Sequence, residues 1–471
     1  MMTSDDPSAG IFHRPYLLAT VGSCALVFLA AFESMAVTTI MPLVSRELNG
    51  AGLYALAFAG PLATGVIGMV GAGNWADRRG PSAPLYASVA LFAAGLIIAG
   101  TAVSMPVLVS GRLVQGLGGG AMTVALYVVI ARVYPGRLHA QVFAAFSAAW
   151  VVPSMIGPFA AGVVAQVLSW HWVFLGVVGL VIPALAMILP AMRSLPATAS
   201  DADVPWAFGR LAWAALAAFA VLGLNLSGQV PGVGWATAAV ALVLALVAVR
   251  PLVPRGTLRA RRGLPSVILM RGFASASFFG AEVYVPYLLT DHYAFTPAFA
   301  GLALTGSALA WAGASAVQGR LGSRLGHAGA VRIGALSVLG AIALVLVTTV
   351  FSWPVGVAIL GWLFAGAGMG VMYPRLSVMT LALSGPEDQG FNSSAMSITD
   401  SLGGALSLAL TGLVFSALTT AGASFAGVFA LTAGIAVVGL LVAPRVAGRK
   451  RTEVVRIAGA RPADEADDVR A

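Results

Sequence analysis

The sequence has few charged residues, a single cysteine and a single lysine. Charged residues make up 9% of the 471 residues, against about 25% in an ordinary globular domain. Cys24 alone cannot form an intrachain disulfide. The five histidines are scattered, and no metal-ligand cluster, phosphate-binding loop or nucleophile constellation is present. These absences argue against an enzyme, a bound cofactor and ATP as the energy source within this chain.

Apolar residues dominate the sequence. Hydrophobic residues make up 59% of the chain, and the mean hydropathy is +0.93. Because no soluble core has enough interior to hide such a chain, a globular protein is excluded. Apolar stretches recur from end to end, each near the roughly 20 residues that a helix needs to cross a bilayer. The sequence therefore predicts an all-α polytopic membrane protein.

The apolar stretches predict fourteen transmembrane helices. Residues 211–249 carry no charge and are twice as long as one span, but a Gly/Pro/Asn cluster at 225–234 has turn chemistry. We interpret this segment as two short helices; twelve spans with a partly buried hairpin is the alternative. The other predicted spans are 16–44, 52–75, 84–104, 107–131, 141–167, 172–192, 264–290, 297–318, 331–351, 355–382, 391–418 and 425–443.

The basic residues set the predicted orientation, because cytoplasmic loops accumulate arginine and lysine. With the N-terminus inside, 22 of the 26 basic residues lie in inner loops or tails, and only Arg46 lies outside. The net charge of +9 therefore reflects topology, and no nucleic-acid partner is expected. We predict a multi-pass protein of the cell inner (plasma) membrane with cytoplasmic tails at 1–15 and 445–471, the second of them disordered.

The two halves of the sequence repeat the same pattern. The segment Gly73–Gly80 aligns with Gly319–Gly326. A glycine series in the fourth span recurs 250 residues later: Gly111, Gly116, Gly118, Gly120 and Met122 align with Gly361, Gly366, Gly368, Gly370 and Met372. Such duplication is typical of transporters. It predicts two pseudo-symmetric six-helix bundles, 16–192 and 264–444, and a linker at 193–263 that carries the two additional helices.

Several motifs resemble those of the major facilitator superfamily, and the resemblance covers almost the whole chain. They are the loop Gly73-Asn-Trp-Ala-Asp77-Arg78-Arg79-Gly80, the helix-four segment Arg112-Leu-Val-Gln115-Gly116-Leu-Gly118, the antiporter segment Gly157-Pro158-Phe-Ala-Ala161-Gly162 and the entry into helix six at Trp170-His-Trp172-Val-Phe174. With fourteen spans, the chain resembles the drug:proton antiporter branch. The resemblance implies a cleft between the halves, a bend at Gly157 and Pro158, and an inner gating loop in which Asp77 caps a helix of the other half.

Six charged residues lie well inside predicted spans, away from the span ends, where a charge costs at least about 2.5 to 3.5 kcal/mol without a partner or a wet cavity. They are Glu33, Arg112, Arg271, Glu282, Arg375 and Asp400. Glu33 and Arg112 lie at compatible depths, and the resemblance places both of their helices around the cleft. We expect Glu33 to be the proton-coupling acid with Arg112 as its partner; a static ion pair is the alternative.

The other buried charges and two tryptophans are candidates for the substrate. Arg271 and Glu282 are eleven residues apart, which puts them on one helix face about 16 Å apart. We expect Glu282 and Arg271 to bind substrate together with Gln115, Trp150 and Trp311, and Asp400 to act in proton coupling. For the acids a structural hydrogen bond, and for the tryptophans core or lipid packing, is the open alternative.

These features predict a proton-coupled exporter of small lipophilic or cationic compounds that works by alternating access. Its expected partners are the small-molecule substrate, protons and membrane lipids, and we expect a monomer. No cofactor is expected, because the proton gradient supplies the energy. Export of an endogenous lipid or metabolite is the alternative within transport. A proton-coupled importer and a receptor that does not transport are the remaining alternatives.

Overall fold

The computed structural model describes residues 10–14, 16–194, 206–228, 233–385 and 388–447. Within these ranges every regular element is a helix. Most of the predicted C-terminal tail, from residue 448 onward, and residues 195–205 of the linker lie outside the described residues.

The N-terminal half consists of six helices joined by short loops. They are α1 Leu17–Glu47, α2 Tyr54–Arg79, α3 Ser82–Gly100, α4 Met105–Val133, α5 Gly136–Val167 and α6 His171–Ser194. Gly80 ends α2 with a φ of +76°, a conformation that only glycine adopts without strain. The glycine of the gating loop is thus explained by the sharp turn from α2 into α3.

Two further helices and the C-terminal half follow. They are α7 Phe208–Ser227, α8 Gly234–Val249, α9 Leu264–Glu282, α10 Tyr284–Asp291, α11 Pro297–Phe351, α12 Val355–Ala382, α13 Gln389–Ala417 and α14 Ser424–Val442. Gly326, with φ +63°, interrupts α11. We call its two spans α11a, Pro297–Gln318, and α11b, Gly326–Phe351.

The prediction of fourteen spans is confirmed: fourteen helices in the described residues are long and apolar enough to cross a membrane. The helices α9 and α10 together form one of them, Leu264–Asp291. The sequence predicts an unbroken helix here, but the structure breaks it at Val283. Pro286 has no N–H to donate to the carbonyl of Glu282 four residues earlier, which weakens the helix at this point.

The two halves pack in the same way. In the N-terminal half α1 packs against α5 and α6, and α4 packs against α2 and α3. In the C-terminal half α9 packs against α13 and α14, and α12 packs against both parts of α11. The duplication seen in the sequence is therefore also a duplication of helix packing.

The repeated glycines lie where α4 and α12 touch their neighbours. A Cβ on Gly120 would lie 2.1 Å from the carbonyl oxygen of Gly65 on α2, and one on Gly118 would lie 2.3 Å from the backbone nitrogen of Phe92 on α3. Gly370 meets α11a in the same way. These residues therefore let the helix backbones approach closely.

The halves meet along two seams that the pseudo-symmetry relates. The first seam is formed by α5 and α11a, and the second by α2 and α13. The additional helix α7 packs against both helices of the second seam, and α8 packs on α7. The insert therefore covers the second seam, whereas no helix of the described part of the chain lies over the first seam.

The seams are closed at the end of the bundle that the basic residues predict to face outward. A Cβ on Gly162 of α5 would lie 2.7 Å from the Cα of Ala298, and one on Gly301 of α11a would lie 2.5 Å from the carbonyl oxygen of Pro158. On the second seam, a Cβ on Gly412 of α13 would lie 2.6 Å from that of Ala55. The outer ends of the two halves are thus in direct contact.

Toward the inner end the halves part. At 100° per residue, Phe143 and Trp150 lie on the same face of α5 as Pro158 and Ala161. This face is buried at Pro158 and Ala161, but Phe143 is 42% exposed and Trp150 is 48% exposed. The halves are therefore not in contact along this face of α5 toward the predicted cytoplasmic side, which indicates a cleft between them at that end.

Candidate transport site

A buried acid–arginine cluster lies inside the N-terminal half. Glu33 is in the middle of α1, and Nη1 of Arg112 on α4 donates to its Oε1. The same nitrogen donates to Oε1 of Gln115 at 2.6 Å, and Nε donates to the carbonyl oxygen of Ala57 at 3.1 Å. We call Glu33, Arg112 and Gln115 the Glu33 cluster. It ties α1, α2 and α4 together.

The Glu33 cluster is turned away from lipid. The side chains of Glu33 and Arg112 are only 4% and 6% exposed, so the pairing expected from their depths is present. The sequence suggests Gln115 as a substrate ligand, and that role stays a prediction. Gln115 is buried and its amide oxygen accepts from Arg112, so its side chain belongs to the Glu33 cluster.

A second ion pair lies in the C-terminal half. Arg271 of α9 donates from Nε to Oδ1 of Asp400 on α13 at 3.2 Å and from Nη2 to Oδ2 at 3.5 Å. The hydroxyl of Tyr373 on α12 also donates to Oδ1 of Asp400. The guanidinium carbon of Arg271 lies 3.2 Å from the centre of the Tyr373 ring. We call Arg271, Tyr373 and Asp400 the Asp400 cluster.

The Asp400 cluster is more accessible than the Glu33 cluster. The side chain of Asp400 is 26% exposed, and the Trp311 ring meets the Tyr373 ring edge-on at 5.2 Å. The sequence suggests Arg271 for substrate binding and Asp400 for proton coupling, and both roles stay predictions. Arg271 and Asp400 are partners of each other, because helices far apart in sequence bring them to one level of the cleft.

Glu282 stands apart from both clusters. It is the last residue of α9, at the break before α10, and its side chain is partly buried. Among the described residues no hydrogen bond or ion pair reaches its carboxyl group. Its predicted role in substrate binding is not tested by these contacts, but the site leaves the carboxyl free for a ligand.

The two tryptophans have different surroundings. Trp150 is exposed at the open end of the first seam, where it can meet either lipid or a molecule in the cleft. Trp311 is partly buried in a ring cluster with Phe278 and Tyr373. Trp311 therefore adjoins the Asp400 cluster, and the substrate-binding role of both side chains stays a prediction.

Gly157 and Pro158 lie where α5 approaches the first seam. The helix α5 continues through Pro158 to Val167, and the carbonyl oxygen of Pro158 faces Gly301 of α11a. Pro158 cannot donate a backbone hydrogen bond to residue 154. The expected antiporter segment is thus part of the contact that closes the outer side.

The gating loop lies at the inner end of α2. Asp77 is exposed and interacts with the charge of Arg132 on α4. The Arg78 guanidinium lies 5.0 Å from the centre of the Trp206 ring. Gly73 contacts α4 through Val124. The expected capping of a helix of the other half by Asp77 is not seen among the described residues, as fits a structure whose inner side is open.

Sequence reasoning missed two tyrosines that organise these sites. Tyr373 holds Asp400, and the hydroxyl of Tyr54 on α2 donates to the carbonyl oxygen of Val283 at 2.7 Å. The sequence could have pointed to Tyr373 through its position, which is next to the repeated glycine series and two residues before Arg375. Tyr54 carried no signal, because its partner is a backbone oxygen 229 residues away.

The geometry of the two halves defines a class of protein. Two duplicated bundles enclose a cleft that is closed at one end, and each bundle holds an acid–arginine pair within its membrane-spanning part. Among the described residues, no group of three His, Cys, Asp or Glu side chains could hold a metal ion. This arrangement is typical of secondary membrane transporters.

The chain belongs to the Major Facilitator Superfamily, whose family model matches residues 23–407 and 267–466. It is therefore a multi-pass membrane transporter and not an enzyme. A probable multidrug-efflux transporter of Mycobacterium tuberculosis (strain ATCC 25618 / H37Rv) is 25% identical over 424 residues, which cover 85% of this chain and 88% of that relative. The multidrug transporter protein MdtP of Bacillus subtilis (strain 168) is 25% identical over 413 residues, with 85% and 75% covered.

Solved structures share the fold. A POT family transporter in complex with 5-aminolevulinic acid has a TM-score of 0.69 at 15% identity and covers 93% of this chain and 98% of its own. A D-xylose-proton symporter has a TM-score of 0.62 at 16% identity, with 92% and 97% covered. At these identities the likeness concerns the fold alone.

Proposed function

We propose that this chain is a proton-coupled antiporter that exports small lipophilic or cationic compounds across the cell inner (plasma) membrane by alternating access. The observation that carries the proposal is the Glu33–Arg112 ion pair, buried within the membrane-spanning part of the N-terminal half. The names of two relatives support multidrug transport, and the name of the first, a probable multidrug-efflux transporter, supports export.

The hydrogen bonds around Arg112 suit a carboxylate that gains and loses a proton. A buried ion pair that loses one charge leaves the other uncompensated, which is strongly destabilising. When Glu33 is protonated, however, Arg112 keeps two acceptors, the amide oxygen of Gln115 and the carbonyl oxygen of Ala57. These acceptors hold the arginine in place, so both protonation states of Glu33 can be occupied.

In the proposed cycle Glu33 alternates between its protonated and its ionised state. Protons from the outside neutralise Glu33 and substrate leaves outward; release of the proton to the inside then lets the next substrate bind. One charge moved through 100 mV supplies about 2.3 kcal/mol, which corresponds to roughly a fiftyfold concentration ratio at 1.4 kcal/mol per tenfold. A single proton is therefore sufficient for useful export, and no bound cofactor is needed.

The test is transport in proteoliposomes with an imposed proton gradient, using a substrate found by screening compounds in a strain that lacks its own pumps. Glu33→Gln should abolish gradient-driven accumulation, a loss of up to about fiftyfold, while counterflow of labelled substrate continues. Asp388→Asn, which changes an exposed carboxyl at the start of α13, should behave as wild type. Undiminished accumulation by Glu33→Gln would reject the coupling role.

The same assay separates the alternatives. A protein that accumulates substrate along with protons is an importer, and one without counterflow for any substrate is not a transporter. If the compound screen is negative, lipid extracts and metabolite mixtures of the host cell provide the second panel. Activity only with the second panel would replace drug export by export of an endogenous lipid or metabolite.

A further inference from the structure

The loop between α8 and α9, at the predicted inner end of the bundle, is strongly basic. Residues 250–263 carry five arginines and no acid. The exposed Arg445 after α14 lies beside this loop, because its carbonyl oxygen accepts a hydrogen bond from the N–H of Gly263 at 2.9 Å. Together with Arg445, four exposed arginines of the loop form what we call the inner arginine patch: Arg255, Arg259, Arg261 and Arg262.

The loop is tightly folded, and its fold determines where the arginines lie. Gly256, Ala260 and Gly263 have φ values of +92°, +49° and +87°, so the chain turns sharply three times. The side chain of Arg261 covers one of these turns: a Cβ on Gly256 would lie 2.4 Å from Cδ of Arg261. Arg261 therefore lies next to the backbone that carries Arg255. The orientation of the spans requires basic residues in this loop but no particular conformation of it.

No carboxylate of the described residues neutralises the inner arginine patch. The ion pairs within these residues are those of the Glu33 cluster and the Asp400 cluster, both far inside the spans. The described acids at the inner end are Asp77, whose charge interacts with Arg132, and Asp388. Neither of them forms an ion pair with an arginine of the patch. The positive charge of the patch is thus available to an anion from outside the chain.

The position of the patch fits the headgroups of the inner leaflet. The helix α8 ends at Val249 and α9 begins at Leu264, so the loop lies directly at the inner ends of two spans. Leu258, next to Arg259, is 40% exposed, and an apolar side chain among basic ones suits the boundary between headgroups and acyl chains. The guanidinium fork of arginine matches two oxygens of a phosphate group, and the cytoplasmic leaflet carries anionic phospholipids.

We propose that the inner arginine patch is a binding site for anionic phospholipids, whose phosphate groups the guanidinium groups hold while Leu258 contacts the start of the acyl chains. The C-terminal segment of the chain itself is a poorer occupant, because residues 448–471 carry six basic and five acidic residues and have no net negative charge. A lipid bound here links the loop that follows the insert to the end of α14. The proposal does not depend on the proposed antiport, since it concerns lipid binding and not transport.

The test measures lipid binding to the purified full-length protein by native mass spectrometry. Phosphatidylglycerol is the anionic probe, and phosphatidylethanolamine is the zwitterionic one. An arginine near an anionic surface contributes about 1 kcal/mol, which is about fivefold in affinity at 1.4 kcal/mol per tenfold. The double variant Arg259→Gln/Arg262→Gln should therefore bind its first phosphatidylglycerol about 25-fold more weakly, with little change for phosphatidylethanolamine.

Two controls separate a folded site from a sum of charges. The matched double variant Arg14→Gln/Arg193→Gln removes the same charge from exposed positions at the inner end of the N-terminal half and should keep the wild-type affinity. Gly256→Ala keeps every arginine but places a Cβ against the side chain of Arg261 at a φ of +92°, and it should weaken binding of phosphatidylglycerol several-fold. Equal losses in the two double variants, or full binding by Gly256→Ala, overturn the proposal. If Gly256→Ala does not fold, the two double variants still decide.

Thermal unfolding in detergent gives an independent measurement, because a ligand that binds only the folded state stabilises it. Phosphatidylglycerol should raise the unfolding temperature of the wild type and of Arg14→Gln/Arg193→Gln, but not that of Arg259→Gln/Arg262→Gln. Inorganic phosphate at the same concentration should have no effect. If inorganic phosphate, or a peptide with the acidic sequence of residues 463–468, stabilises the wild type and phosphatidylglycerol does not, the patch binds a different anion and the proposal is rejected.

Discussion

Replacement of Arg112 tests how strongly the Glu33 cluster depends on its charge balance. Arg112→Gln removes the cation and with it the donors to Glu33, Gln115 and the carbonyl oxygen of Ala57. It leaves Glu33 buried, and its carboxylate then has no counter-charge in the cluster. Removing one partner of a buried pair costs about 3 to 5 kcal/mol. We therefore expect Arg112→Gln to be among the most destabilising single changes in the N-terminal half.

Glu33→Gln should cost less, because Arg112 keeps two of its three acceptors. The decisive variant is the double replacement of Glu33 and Arg112 by glutamine, which removes both charges. It should be more stable than Arg112→Gln alone, because the second change removes the uncompensated carboxylate. In a double-mutant cycle the two effects are then strongly non-additive, with an interaction energy of about 1 to 3 kcal/mol.

The assay is thermal unfolding in detergent, followed by the fluorescence of the ten tryptophans and repeated at several pH values. Acidic buffer should restore part of the stability of Arg112→Gln, since protonation removes the stranded charge of Glu33, and should have little effect on the double variant. Additive destabilisation in the double variant, or an Arg112→Gln protein as stable as wild type, would refute the assignment of Glu33 and Arg112 as a coupled buried pair.

Two further predictions concern packing and the second ion pair. Gly120→Ala puts a Cβ 2.1 Å from the carbonyl oxygen of Gly65 and should lower the free energy of unfolding by about 1 to 3 kcal/mol. The control is Gly119→Ala, whose Cβ would lie 3.7 Å from its nearest neighbour. This variant should be neutral or stabilising in the same unfolding assay. Tyr373→Phe removes a donor to Asp400 and should cost about 1.5 to 3 kcal/mol. An equal effect of the two glycine changes, or no effect at Tyr373, would contradict these contacts.

The number and place of the spans follow from the sequence alone. Long apolar runs determine where the chain can cross the membrane. The predicted bounds 297–318 and 355–382 coincide with spans of the structure. The repeat of glycines at a fixed offset also predicted two halves with the same plan, and the helices of the two halves pack in the same way. Such predictions succeed because they depend on local composition and on a period along one helix.

The partners of buried charges were harder to predict. Glu33 and Arg112 could be paired because their depths agree and the family resemblance places both helices around the cleft. Arg271 and Asp400 are 129 residues apart in sequence. The depth of a residue along its helix does not determine which neighbouring helix its side chain faces. The break at Val283 was likewise missed, although Pro286 is visible in the sequence, because the carbonyl oxygen of Val283 is held from the other half by Tyr54.

The insert makes the two flanks of the transporter unequal. The internal duplication by itself would give two equivalent edges to the surrounding lipid. The helix α7 runs along the edge formed by α2 and α13: Leu222 lies near Gly60, Arg210 lies over the ring of Phe391, and Gly228 approaches Leu413. Among the described residues, no helix covers the opposite flank beside Trp150, so acyl chains of the bilayer can reach the junction of the two bundles there, and a pseudo-twofold molecule presents two different edges to lipid.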